Sequence, residues 1–261
     1  MATIIKQGEC LQDESTMGQG LEMHYTLTDD GTLTISGQGV VGNACWDEDE
    51  EEHDAEMGCG WSDRFSHCSQ FAGMKISRIV IEEGITGLSA ESFVLLPVKK
   101  VVLPEGLSFI GYDAFAECSE LEEIILPSTL DSISDRMFDN CESLRKIVIP
   151  EGVESIGKQA FSRCTSLVSV NLPGTLTGIG EDAFFECPNL KTIEPAGPHF
   201  VLRNGCLCTD DGEVVLGTNQ PEVIIPENIT TIRQNAFNGF DKVTSVKLPD
   251  GIENISGVFF H

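Results

Sequence analysis

A unit of 23 residues written three times in succession constrains this chain more than any other feature: LPEGLSFIGYDAFAECSELEEII, LPSTLDSISDRMFDNCESLRKIV, then IPEGVESIGKQAFSRCTSLVSVN. Pro104, Pro127, Pro150 and Pro173 keep register, as do Phe115, Phe138, Phe161 and Phe184, and Cys118, Cys141, Cys164 and Cys187. A fixed period of this length is the mark of a solenoid, in which each unit buries its apolar face only by stacking on its neighbours. Within a unit, Leu121 to Leu126 is a short β-branched run closed by Pro127, which has no N–H for a sheet ladder. Strands recurring in the same sense must pair in parallel, one per coil. The other leg, LDSISDRMFDNC, returns with Leu130, Ile133, Phe138 and Cys141 inward. Phe93, Phe115, Phe138, Phe161, Phe184 and Phe237 are therefore expected to form an aromatic spine.

Four of the 10 cysteines share one repeat position. Equivalent side chains stack along a solenoid axis at the strand spacing of about 4.8 Å, so these thiols are expected as a buried, mostly reduced ladder rather than a disulfide framework. With 42 Asp plus Glu against 16 Lys plus Arg, the net charge of -26 repels nucleic-acid phosphates and anionic lipid. Nucleic acid is excluded as an expected partner. No run approaches the roughly 20 apolar residues that span a bilayer, so no membrane insertion is expected. MATIIKQGEC lacks the basic and apolar regions of an export signal. The protein is then cytoplasmic, or its signal lies outside this chain.

Taken in order, residues 21 to 41 alternate apolar and polar on both sides of Asp30-Gly31, a hairpin with a type I′ turn that would cap the first coil. Asn43 to Gly60, NACWDEDEEEHDAEMGCG, is an acidic run without amphipathic period and reads as a solvated loop. Its carboxylates do not match the spacing of an EF-hand loop. Cys45, His53, Cys59, His67 and Cys68 are zinc-type ligands, but no C-x-x-C pair joins them. Neither metal nor cofactor is assigned.

Arg64 to Cys68, RFSHC, echoes the A-F-x-x-C step, ISRIVIEEG supplies the first strand, and Leu96 stands where cysteine stands in later coils. Terminal repeats are expected to be atypical in this way. From Pro195 to Pro226 the spacing is 31 residues, and HFVLRNGCLCTDDGEVVLG reads as a β-hairpin bulging from the convex side. Cys206 and Cys208 share a face of its first strand and are expected to pack. Residues 1–60 form the hairpin cap and acidic loop. The solenoid is 61–261, with the insertion at about 196–221. At the far end Phe259, Phe260 and His261 fold over the last coil, or the natural protein goes on.

The sentence L-x-x-I-x-L-P-x-x-L-x-x-I-x-x-x-A-F-x-x-C resembles the BspA-like, Treponema-type leucine-rich repeat family over nearly the whole chain. DDGTLTISGQG is similar to the hairpin that precedes the repeats in many gut-bacterial members. Trp61 is similar to the tryptophan just before them, and NGCLCTDDGEVVLG to a hairpin found between them. The resemblance implies a right-handed α/β-type leucine-rich repeat superhelix. It would carry a parallel sheet on the concave face and irregular or short helical convex legs. It also implies a bacterial surface or secreted protein acting in adhesion or as an interaction module; the absent export signal departs from that pattern.

Three functions follow. In the first, a non-enzymatic module presents its concave sheet to a protein or glycan partner. Outward positions form two columns: Arg78, Lys100, Glu123, Lys146, Ser169, Thr192, Ser245, and Val80, Val102, Ile125, Val148, Asn171, Glu194, Lys247. The candidate site is the basic and aliphatic first half, Arg78, Val80, Lys100, Val102, Glu123, Ile125, Lys146 and Val148. Aliphatic residues there serve β-propensity at the least, or an exposed patch for an acidic or apolar partner segment. A hydrolase is disfavoured, since His24, His53, His67 and His199 all stand off the regular strands and no nucleophile–base set is seen. Third, the chain is a structural segment of a longer self-associating protein; as a binding module it is expected to be a monomer.

Overall fold

The computed structural model describes residues 2–10, 22–42, 71–195, 197–252, 255 and 257. The chain opens with β1 (Ile4–Glu9), β2 (Met23–Thr28), β3 (Thr32–Gly37) and β4 (Gly39–Val41). Each coil then places one strand in a principal sheet and another, after the first coil a shorter one, in a return ladder. The principal strands are β5 (Arg78–Ile81), β7 (Lys100–Val102), β9 (Glu123–Ile125), β11 (Lys146–Val148), β13 (Ser169–Leu172) and β15 (Thr192–Pro195). Their returns are β6 (Ile85–Leu88), β8 (Phe109–Ile110), β10 (Ser132–Ile133), β12 (Ser155–Ile156) and β14 (Gly178–Ile179).

Both series pair in parallel, each in two runs, since no ladder joins β9 to β11 or β8 to β10. Lys100 registers with Glu123, Lys146 with Ser169, and Ser169 with Thr192, each one repeat on. The hairpin joins at the front: β1, β2 and β3 are antiparallel, and β3 pairs in parallel with β5. Its turn differs from the type I′ expectation. Gly31 alone takes positive φ, +80°, and its N–H donates to Thr28 O at 3.0 Å. This is a type I turn followed by a left-handed glycine, the commoner solution for a longer hairpin loop.

The expected helical character of the convex legs is not found: among the described residues there is no helix. The reason lies in the backbone. In five legs two residues that are not glycine adopt left-handed φ, such as Asp113 (53°) with Glu117 (60°) and Arg136 (50°) with Asn140 (59°). An α-helix needs φ near -60° without interruption. The N–H groups that would close helical turns point instead at the next coil. Asp113, Phe115 and Glu117 donate to the carbonyls of Asp135, Met137 and Asp139 at 3.1, 3.0 and 2.7 Å. Strain of about 1–2 kcal/mol per left-handed residue is offset by these bonds between coils.

Six phenylalanine rings stack in succession, from Phe71 through Phe93, Phe115, Phe138 and Phe161 to Phe184, with centroids 5.3–5.8 Å apart. Phe71, which the sequence reading passed over, stands 22 residues before Phe93 and meets Tyr25 edge-on. Beside the rings, each buried ladder thiol donates to the phenylalanine carbonyl of the preceding coil: Cys118 to Phe93, Cys141 to Phe115 and Cys164 to Phe138 at 3.2 Å, Cys187 to Phe161 at 3.1 Å. Cysteine here is a hydrogen-bond donor as well as a small apolar filler. The ladder thiols are free.

Phe237 departs from the expected spine. The insertion forms three antiparallel strands, β16 (Phe200–Arg203), β17 (Cys206–Thr209) and β18 (Glu213–Gly217), and β18 pairs in parallel with β20 (Thr231–Ile232). The insertion thus supplies a return strand to the following coil. Gly217 N–H donates to Ala236 O at 2.8 Å, as Phe161 N–H does to Ala183 O, so a glycine occupies the ring's place. A Cβ on Gly217 would lie 2.0 Å from the Phe237 ring. Phe237 packs instead in a second core group with Cys206, Cys208, Val214, Val223 and Ile232. The principal sheet resumes as a separate pair, β19 (Glu222–Ile224) with β21 (Ser245–Lys247).

The two hairpins share one device. Thr28 and Thr209 hydroxyls donate to Asp30 and Asp211 carboxylates at 2.6 and 2.5 Å. Gly31 and Gly212 carbonyls then receive the N–H groups of Ser77 and Thr230 at the start of the next coil's strand. TDDG thus leads into a strand of the stack twice, the principal-sheet strand β3 and the return strand β18. The acidic run 43–60, Trp61 and RFSHC, together with Phe259, Phe260 and His261, lie outside the described residues.

Candidate functional site

In the principal sheet, Ile79, Ile81, Val101, Ile124 and Ile147 point into the core, so the residues between them face outward. Register places Arg78, Lys100 and Glu123 in one column and Val80, Val102 and Ile125 in the next. Lys146 and Val148 extend both, on a strand lying beside β9, followed by Ser169 with Thr192 and Asn171 with Glu194. Ile125 is 70% exposed and Val148 53%, whereas Val80 and Val102 are half-buried.

The polar column is less basic than its letters. Lys100 Nζ lies 2.6 Å from Glu123 Oε1, so one cation of the expected patch is neutralised by its neighbour. Asn171 Nδ2 donates to Glu194, and Lys247 Nζ meets Glu222 at 2.7 Å. Such cross-strand pairs stabilise the sheet by a few tenths to about 1 kcal/mol each. Among the described residues, no ion pair involves Arg78 or Lys146.

Two sets of surface residues were missed. Glu222 and Ile224 belong to the columns, but the stretched spacing before Pro226 hid their register. A third row, just ahead of the strands, holds Lys99, Glu122, Arg145, Val168 and Lys191. Four of the backbone N–H groups there meet the carbonyl of the previous coil: Lys99 on Ser77 at 2.8 Å, Glu122 on Lys99 at 2.9 Å, Val168 on Arg145 at 2.8 Å and Lys191 on Val168 at 3.0 Å. The 23-residue period could have revealed it, since these are the positions immediately before Lys100, Glu123, Lys146, Ser169 and Thr192.

Elsewhere, convergent charges are spent on the fold. Asp113, almost wholly buried, takes both Nε and Nη2 of Arg136, at 2.8 and 2.5 Å, and the pairing raises the guanidinium pKa further. Arg163 holds Asp139 at 2.6 Å, although burial still pushes that carboxyl above its ordinary value. Arg233 ties Glu213 of the insertion to the Ile179 carbonyl. His24 lies 3.7 Å from Glu22 and His199 3.7 Å from Asp210, both exposed on the hairpins. Burial raises Cys206 to about 12 and Cys208 to about 11, and both thiols pack in the core group of Val214 and Phe237. No cluster of three or more His, Cys, Asp or Glu placed to hold a metal occurs among the described residues. Cys45, His53, Cys59, His67 and Cys68 fall outside them.

Comparison with known proteins points the same way as the repeat. A sequence profile described as "BspA type Leucine rich repeat region" matches in six copies over 86–206 and 216–261, more than half of the chain. No curated protein matches significantly. Among solved structures, a leucine-rich repeat protein from Eubacterium ventriosum shares 20% identity with a TM-score of 0.73, covering 95% of this chain and 61% of that one. One from Bacteroides ovatus shares 18%, TM-score 0.55, over 96% of this chain and 54% of the other. A leucine rich cell surface protein from Faecalibacterium prausnitzii shares 19%, TM-score 0.50, over 93% and 77%. The chain thus spans less than two thirds of the length of the E. ventriosum protein.

Proposed function

Because the chain belongs to the BspA-type leucine-rich repeat family, we propose that it is a non-enzymatic interaction module of a bacterial cell-surface or secreted protein. The outward columns of its principal sheet receive a protein or glycan partner. Repeat scaffolds of this kind bind through an extended sheet surface rather than through a catalytic pocket. The observation that carries the reading is the aliphatic stripe: half-buried Val80 and Val102 stand in register with Ile125, which is exposed, and the exposed Val148 follows on the adjacent strand β11. Apolar surface left open and contiguous marks interaction. The likeness to a leucine rich cell surface protein supports the location.

Capture of partners from host matrix and cell-surface extracts tests it. Ile125→Asp with Val148→Asp should abolish the captured set without changing the circular dichroism or thermal midpoint. Unchanged capture by the folded double variant would remove this face from consideration. Self-association is the second reading, favoured by β1, an edge strand whose Ile4 and Ile5 are more than half exposed. Light scattering that shows a monomer at high concentration would dismiss it.

A further inference from the structure

This inference names the partner chemistry of the same face and rests on the preceding reading. Six of the 16 Lys and Arg residues stand where the principal strands begin: Arg78, Lys99, Lys100, Arg145, Lys146 and Lys191. Lys99 is 3.7 Å from Glu120 and Lys100 is bound to Glu123. The other four are exposed and, among the described residues, make no ion pair. In a chain of net charge -26, cations left without partners along one rim define where incoming negative charge is accepted. Salt screens the remote carboxylates beyond about 8–10 Å and leaves the local field to these side chains and to the exposed Glu122 in the same row.

The rim runs directly beside the aliphatic column. Arg145 and Lys146 are the centre of the combined surface, with Ile125 and Val148 on one side and Val168, 40% exposed, on the next coil. Strands about 4.8 Å apart make the aliphatic column from Val80 to Val148 about 14 Å long. An extended polypeptide covers that length with about five residues, and its side chains point alternately to opposite sides. Laid across the coils between the two columns, it would aim one set at the cations and the other at the aliphatic residues.

We propose that the partner presents an extended segment of alternating acidic and apolar residues, its carboxylates on Arg145 and Lys146 and its apolar side chains on Ile125 and Val148. A sulfated glycan would satisfy the cations and leave the most exposed isoleucine of the chain in water. A basic segment would be repelled by the rim.

Fluorescence anisotropy with labelled eight-residue probes tests this: alternating Glu-Val, alternating Glu-Ser, alternating Lys-Val, and a heparin oligosaccharide. Glu-Val should bind at least tenfold tighter than any other probe. It should weaken at least tenfold with Arg145→Glu plus Lys146→Glu, and again with Ile125→Ser plus Val148→Ser, each variant checked for folding by circular dichroism. Affinity should also fall as salt rises. No binding of Glu-Val, equal binding of Lys-Val, or heparin binding indifferent to the Ile125 variant overturns the inference. If the Ile125→Asp and Val148→Asp variant still loses its captured partners in those cases, the interaction face stands and only its chemistry was misread. If it keeps them, both fall.

Discussion

Raising the pH above 9 should unfold this protein through its thiol ladder, and the structure sets the scale. Cys118, Cys141, Cys164 and Cys187 are completely buried, and desolvation pushes their ionisation up, to about 12 for Cys118 and Cys187. In the unfolded chain the same groups ionise near 9.0. Below pH 9 both states hold the protons and the ladder contributes its full stability. Between pH 9 and 12 only the native state keeps them, so each thiol favours unfolding by a further factor of about ten per pH unit. At pH 10 the four together cost roughly 5–6 kcal/mol, against a total of about 5–15 kcal/mol for an ordinary domain. Urea unfolding followed by circular dichroism in reducing buffer at pH 7.5, 9 and 10 measures this. The wild-type midpoint should fall at pH 9 by the equivalent of about 1–2 kcal/mol and collapse at pH 10. Cys141→Ala with Cys164→Ala starts less stable, having lost packing and the donors to Phe115 and Phe138, but its alkaline loss should be shallower by two protons. An identical pH slope in the double variant would refute the reasoning.

Further consequences can be measured on the same footing. Phe138→Ala removes a ring stacked 5.8 Å from Phe115 and 5.4 Å from Phe161 and should cost about 3–5 kcal/mol in the urea midpoint. Gly217→Ala drives a Cβ into the Phe237 ring, so hydrogen exchange should quicken in β19 to β21 while β7 to β13 keep their protection. Gln159 holds φ at 55°; Gln159→Gly should change stability by less than about 1 kcal/mol, relief of strain opposing glycine's entropy, while Gln159→Val should destabilise by more than that.

Much of the sheet surface was legible because a strict period assigns each residue a place in the stack. Arg78, Lys100 and Glu123 fall in one column by counting, and so do Val80, Val102 and Ile125. Counting fails where the period slips. Ile224 was lost behind the insertion, and Phe237 was assigned to a spine that Gly217 interrupts. Nor does counting show how neighbours answer one another. Lys100 reads as a free cation until its ammonium is seen beside Glu123, while Arg145, outside the strand proper, turns out exposed and without an ion pair among the described residues.

The sequence by itself determined that the chain coils, which residues face inward and that the coils stack in parallel. Apolar periodicity and proline punctuation are one-dimensional records of burial and of missing donors. Only the tertiary structure decided that the return legs are turns with left-handed residues rather than helix and that the ladder thiols donate to phenylalanine carbonyls. It alone showed which surface cations stay unpaired. Each of these depends on where backbone and side-chain dipoles of one coil meet those of the next, and no residue carries that information until the coils are stacked.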